Sequence, residues 1–223
     1  MAGMVGTGVR LLVVDDDPLV RAGLKSMLGG AAELEVVGEA ADGRAAIDAV
    51  RAAKPDVVLM DITMPVMDGL TATEAIRSGA DAPEVVILTT FGSEEHLLHA
   101  LRAGAAGFLL KDAAPQEIVD AVVKVAGGDP ILSGAVTRQL MDYVSGPDEQ
   151  SRRDEALEVL ARLTDREREV AAAVAQGKSN AEIAADLAMG VPTVKTHLTR
   201  VLLKLGLNNR VQVALLAHDA GLA

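Results

Sequence analysis

The chain has 223 residues, 50% hydrophobic and 24% charged, which suits one large or two small domains and excludes a disordered chain. It has no cysteine, so a disulfide scaffold, a zinc–thiolate site and thiol chemistry are excluded, and no apolar run approaches the roughly 18 residues of a membrane span. The net charge of −11 is uneven: residues 1–150 carry 11 Lys and Arg against 23 Asp and Glu, residues 151–223 carry 10 against 9, and residues 187–218 hold four bases and no acid. Whole-chain acidity argues against nucleic acid as a partner, but that local excess reopens the question; ordinary solvated helix charges explain it equally well.

Residues 1–8 have no charged segment followed by an apolar one, so they read as a flexible tail rather than a signal peptide, and the expected location is the cytoplasm. Residues 9–14 are a short, β-branched apolar run. Residues 18–28 space Leu19, Val20, Leu24, Met27 and Leu28 at a helical period, and Gly29-Gly30 stops them. Strands follow at 34–37, 57–60, 85–88 and 106–110; helices follow at 43–53, 70–77, 94–102 and 115–126. Strands this apolar are buried on both faces. Five βα units of this kind predict a doubly wound, five-stranded parallel sheet covered by helices.

A doubly wound sheet binds ligands at the carboxyl ends of its strands, at the switch in strand order. The first strand ends in Asp15-Asp16-Asp17, the third in Asp61, the fourth in Thr89-Thr90 and the fifth in Leu110-Lys111. Packed carboxylates repel one another unless a hard cation joins them, and oxygen ligands of this kind suit Mg²⁺. Asp61, at the centre of the sheet, is placed to attack phosphorus, and Lys111 to neutralise phosphoryl oxygens. The competing reading is that such acids merely cap the next helix, Asp17 before Pro18 among them. The full set, each at the right strand end, favours a site.

The segments Val13-Val14-Asp15-Asp16-Asp17-Pro18, Pro55-Asp56-Val57-Val58-Leu59-Met60-Asp61, Met64-Pro65-Val66-Met67-Asp68-Gly69, Leu88-Thr89 and Gly107-Phe108-Leu109-Leu110-Lys111 resemble the receiver domain of two-component response regulators. The resemblance covers residues 9 to about 127. It implies a flavodoxin-like fold and a phosphoryl group accepted by Asp61 from a sensor histidine kinase. It further implies Mg²⁺ held by Asp16, Asp61 and the backbone carbonyl of Thr63 with help from Asp15, and Thr89 and Lys111 reading the phosphoryl group. Phe108 stands where receivers carry a Tyr or Phe; it either fills core or moves inward when Thr89 turns to phosphate. A haloacid-dehalogenase-type phosphatase would need a second carboxylate two residues after its nucleophile, where this chain has Thr63. Such an enzyme has no need of the Asp15-Asp16 pair.

After Asp129-Pro130 the alternation stops. Residues 133–144 can form a helix and 145–151 are polar and rich in breakers, so 129–153 reads as a linker. From 154 on only helices are expected: one opened by a capping box at Thr164 and Glu167, then 180–187, 192–205 and 208–217. The third carries Val194, Leu198, Val201, Leu202 and Leu205 on one face and Lys195, Thr196, Thr199, Arg200 and Lys204 mainly elsewhere. That pattern fits a major-groove helix and equally an ordinary surface helix.

Leu163-Thr164, Arg166-Glu167, Glu169-Val170, Ser179-Asn180, Glu182-Ile183-Ala184, Thr193-Val194-Lys195, His197, Lys204-Leu205 and Asn209-Arg210 together resemble the LuxR-type helix-turn-helix, an all-α four-helix module spanning 154–223. Receiver (9–128) plus this module resembles the NarL/FixJ response regulators. The resemblance implies promoter or operator DNA as partner, contacted by Thr193, Lys195, Thr196, Thr199, Arg200 and Lys204. It also implies a homodimer formed on phosphorylation, with Val211 and Leu215 of the last helix at its DNA-domain interface. Gly190, where the family has a capping Ser, and Pro192 depart from the pattern. The expectation is a cytoplasmic transcription regulator, not an enzyme, with no membrane partner; the rival is a regulator whose receiver is inactive and answers to a ligand or another protein.

Overall fold

The computed structural model describes residues 8–79, 82–90, 94–129, 131–132 and 149–222; residues 1–7 of the expected tail at 1–8 and the expected helix at 133–144 lie outside them. The chain divides into two compact units between Gly127 and Gly128.

The first unit alternates β1 (Val9–Val14), α1 (Pro18–Leu28), β2 (Leu34–Ala40), α2 (Gly43–Ala53), β3 (Val57–Met60), α3 (Gly69–Arg77), β4 (Glu84–Thr89), α4 (Glu94–Ala103), β5 (Gly107–Leu110) and α5 (Pro115–Gly127). The strands lie in the order β2-β1-β3-β4-β5 and all four pairings are parallel. This is the flavodoxin-like order, with its switch point beside β1 and β3. Leu11, Leu12, Val13, Val57, Val58, Val85, Val86 and Ile87 are fully buried, as strands covered on both faces require.

The helices start where short polar side chains can satisfy their first amides. Asp17 accepts from Leu19 N at 2.7 Å, Asp42 from Ala45 N at 2.9 Å and Asp68 from Thr71 N at 2.8 Å. Pro18 opens α1, where its missing N–H costs nothing. β2 runs three residues beyond the expected Val37, to Ala40, because β1 continues to Val14 and pairs with it again after a register shift between Leu11 and Leu12 that leaves Val37 out of the ladder.

The second unit holds α6 (Glu149–Leu160), α7 (Asp165–Ala175), α8 (Asn180–Asp186), α9 (Val191–Leu205) and α10 (Arg210–Asp219), together with a two-residue strand, β6 (Ile131–Leu132), that was not expected. α6 corrects the linker assignment. It takes in residues 149–151 and adds a fifth helix to the four foreseen. Its composition is unremarkable for a helix; what holds it is burial of Ala156 and Leu160, one turn apart, against Val170, Val174 and Val213. α10 begins at Arg210 rather than at 208, since Asn209 caps it by accepting from Gln212 N at 2.8 Å. No helix among the described residues is long and apolar enough to cross a membrane.

Candidate functional site

Register alone brings the acids together. Val14 pairs with Met60, so the next residues, Asp15 and Asp61, stand side by side, and Asp61 N donates to Val14 O at 2.9 Å. β4 and β5 pair Thr89 with Leu110, which puts Lys111 next in line, its amide donating to Thr89 O at 2.8 Å. The Lys111 ammonium reaches across the strand ends to 2.5 Å from Asp15 Oδ2 and 3.0 Å from Asp61 Oδ2.

Asp15 is 1% and Asp61 6% exposed, whereas Asp16 faces solvent. Asp15 Oδ1 accepts from Asp17 N at 3.0 Å and Asp61 Oδ1 from Ile62 N at 2.9 Å. Burial pushes the Asp61 carboxyl above its ordinary value, helped by the charge of Asp15 and opposed by Lys111. Burial acts to pull the Lys111 ammonium down, but its hydrogen bonds and charge contacts with both carboxylates leave it raised.

Asp15, Asp16 and Asp61 each offer a carboxylate oxygen within 4.8 Å of the others. Three carboxylates against one ammonium leave an excess of negative charge on hard oxygen ligands. That donor set fits Mg²⁺, which accepts carboxylates and keeps several waters. Asp17, by contrast, is spent on capping α1. Thr63 is exposed in the loop after β3. Ile87 pairs with Phe108, and side chains alternate along a strand, so Phe108 shares a sheet face with Thr89. Both are buried.

Two residues that shape this site were not foreseen. Arg21 donates to the backbone carbonyls of Asp15 at 2.6 Å and Asp16 at 3.2 Å, holding the acidic loop from α1. Its place one turn into a helix that follows the acids was the available signal. Gly69 donates to Ile62 O at 2.8 Å, and a Cβ built there would lie 1.8 Å from Asp61 O. Between them, Val66 turns the loop at φ 66°, a left-handed conformation that is costly for a β-branched residue.

On α9, Val194, Leu198 and Val201 are buried, while Thr193, Lys195, Thr196, Thr199, Arg200 and Lys204 are exposed. Thr196 and Thr199 donate their hydroxyl protons to the carbonyls of Pro192 and Lys195, at 2.9 and 3.0 Å. Gly190 provides no side-chain cap.

Lys204, one of the expected DNA contacts, also makes an ion pair within its own unit. Its ammonium lies 2.6 Å from Oε2 of buried Glu167 and so ties α9 to α7. The same Glu167 oxygen accepts from Thr164 N at 2.9 Å, which completes the capping box of α7. The Lys204 hydrogen bond, then that of Thr164, push the Glu167 carboxyl down from 4.5 to about 2. A carboxyl depressed on folding stabilises the fold above its unfolded value of 4.5, and that contribution is lost as pH falls toward 2. Lys204→Ala should therefore lower the thermal midpoint at neutral pH and flatten its fall between pH 4.5 and 2. Parallel midpoint curves for variant and parent would dismiss the pair.

The dimer face also changes. Val211 is 4% exposed in the single chain and Leu215 is half-buried; α10 packs against α7 and α6. Val211 is thus withdrawn from any surface that a second copy could meet.

Residues 11–123 match the family described as response regulator receiver domain, and residues 161–217 the bacterial regulatory proteins of the luxR family. The transcriptional regulatory protein LiaR of Bacillus subtilis (strain 168) is 36% identical over 210 residues, covering 94% of this chain and 97% of that protein. The nitrate/nitrite response regulator protein NarL of Escherichia coli (strain K12) is 34% identical over 209 residues, 94% of each. Among solved structures, response regulator ChrA of a heme-sensing two-component system is 39% identical, covers 98% of this chain and 100% of that one, and superposes with a TM-score of 0.53. The chain belongs to the response regulators that join a receiver domain to a LuxR-type DNA-binding domain, and it is a transcription regulator of that family.

Proposed function

We propose that this regulator is switched by phosphorylation of Asp61, with a cognate sensor histidine kinase as donor, and that the phosphorylated form dimerises and binds double-stranded promoter DNA in the cytoplasm. The observation that supports this best is the meeting of Asp15, Asp16, Asp61 and Lys111 at one edge of the sheet. A carboxylate oxygen of Asp61 attacks phosphorus. The P–N bond of a phosphohistidine breaks, its electron pair stays on the imidazole, and an acyl phosphate forms. Asp15, Asp16, Asp61 and the Thr63 carbonyl hold Mg²⁺, which when bound offsets charge on the phosphoryl oxygens. Lys111 supplies the second positive charge there.

Thr89 donates its hydroxyl to the phosphoryl group, and Phe108, on the same sheet face, repacks with it. Phosphorylation makes an already acidic receiver more negative, so added charge alone gives no pull toward DNA. A change of shape at Thr89 and Phe108 must carry the signal. Thr193, Lys195, Thr196, Thr199, Arg200 and Lys204 then meet the major groove, the bases on phosphates and the exposed face on base edges.

DNA binding measured with and without acetyl phosphate and Mg²⁺ tests the whole reading: phosphorylated protein should bind more tightly. Equal binding by fully labelled and unlabelled protein would favour the rival regulator whose receiver is inactive. Thr89→Ala should accept phosphate on Asp61 yet stay monomeric in sedimentation, and dimerisation equal to the parent would remove Thr89 as the reader. Asp16→Ala should weaken Mg²⁺ binding and slow phosphorylation more than Asp17→Ala, whose main loss is the α1 cap, about 1 kcal/mol of stability. Equal effects on Mg²⁺ would mean that the two acids share the metal.

A further inference from the structure

The second unit opens by folding its own first residues onto α8 and α10. Gly128, at φ +89°, comes so near that a Cβ there would lie 2.9 Å from Asn180 Nδ2 and 4.0 Å from Lys195 Cε. Asp129 Oδ1 accepts from Asn180 N at 3.2 Å and lies 3.5 Å from Arg210 Nη1. The same guanidinium nitrogen is 3.5 Å from Gly128 O and donates to Asn180 Oδ1 at 2.8 Å, while Nη2 donates to Lys178 O.

Arg210 is 8% exposed and held from behind by two neutral acceptors, with Asp129 as the carboxylate on its remaining side. A guanidinium fixed in advance, beside a backbone N–H, recognises any anionic oxygen of the right size, carboxylate or phosphate. Arg210 and Lys195 are both among the four bases of the acid-free stretch 187–218, and Asp129 is an acid brought to them from outside it.

We infer that Gly128–Asp129 holds the place of a DNA backbone phosphate, and that Arg210 with the Asn180 amide forms the phosphate site it covers. The inference rests on the reading of α9 as the DNA-facing helix, since a Cβ built on Gly128 would come within 4.0 Å of Lys195 Cε, which places the segment on that side. The site closes when Asp129 sits on Arg210 and opens to a phosphodiester oxygen when the segment leaves, which adds one phosphate contact.

The test uses the full, unphosphorylated chain and a short fluorescent double-stranded DNA, titrated over a range of salt. Asp129→Asn removes the covering charge at a partly exposed position. It should bind roughly threefold to tenfold more tightly at low salt, with a log–log salt slope steeper by about 0.9, the value for one added phosphate. Gly128→Ala, which keeps the charge but crowds Asn180, should give a gain in the same direction. Glu158→Gln, an exposed acid on α6, makes the same change in net charge away from the site and should leave the slope unchanged. Parent-like behaviour of both Asp129→Asn and Gly128→Ala overturns the inference, as does an equal gain in Glu158→Gln. If Lys195→Ala weakens binding while those variants match the parent, only this inference fails. If Lys195→Ala changes nothing in any background, the assignment of α9 as the DNA-facing helix fails with it.

Discussion

Asp61→Asn should take up no phosphate from acetyl phosphate and Mg²⁺, where the parent takes up one group per chain. The amide is nearly isosteric and its oxygen can still accept from Ile62 N, so the loop after β3 keeps its shape. What it lacks is a negatively charged oxygen to attack phosphorus and to pair with Lys111, now 3.0 Å from Asp61 Oδ2. Neither neighbour can substitute. Asp15 is buried with one oxygen on Asp17 N and the other on Lys111, and Asp16 faces solvent from the loop after β1. Intact-mass measurement after a timed reaction decides the matter: a fully labelled Asn variant would move the acceptor to another carboxylate.

Gly69→Ala should lower stability by about 3 kcal/mol, the upper end of the usual cost of overpacking a well-packed position. The added Cβ would stand 1.8 Å from Asp61 O, 2.9 Å from Asp61 C and 3.0 Å from Met60 Cγ. Two of these are backbone atoms, so no rotamer change relieves them. Gly69 cannot retreat easily either: its amide is bonded to Ile62 O and Asp68 caps the helix it begins. The denaturant midpoint should fall with the slope unchanged, since the same surface is exposed on unfolding. Phosphorylation of the folded fraction should slow, because Asp61 must shift to make room. Gly23→Ala is the matched control. Its Cβ meets nothing within 4 Å in α1, and a gain of up to about 1 kcal/mol is expected from helix propensity. Equal midpoints for the two variants would show that the β3–α3 turn is softer than its geometry implies.

The parts of this protein that were legible in its sequence are those set by local periodicity. Apolar runs at β1, β3 and β4 and helical spacing in α1, α2 and α9 identify their elements within a residue or so, because burial on two faces or on one stripe leaves its mark on consecutive residues. The acidic site was legible for the same reason. In a parallel sheet, the residue after each strand lands at one edge, so Asp15, Asp61 and Lys111 can be placed without knowing a single contact.

Where a side chain looks for its partner across the fold, the sequence is silent. Lys204 carries the charge of a DNA contact, and nothing near it in sequence shows that it also pairs with Glu167, 37 residues earlier. Residues 149–151 have a linker's composition, yet packing of Ala156 and Leu160 one and two turns later draws them into α6. Val211 has the apolar character of a dimer contact and is buried in its own chain. Gly69 and Arg210 look like an ordinary turn glycine and an ordinary surface base until the backbone of Asp61 and the carboxylate of Asp129 are set beside them. Element type and strand-end position follow from residues near in sequence, which the chain by itself determines. Pairing, close approach and burial depend on which distant segments meet, and only the packed tertiary structure decides that.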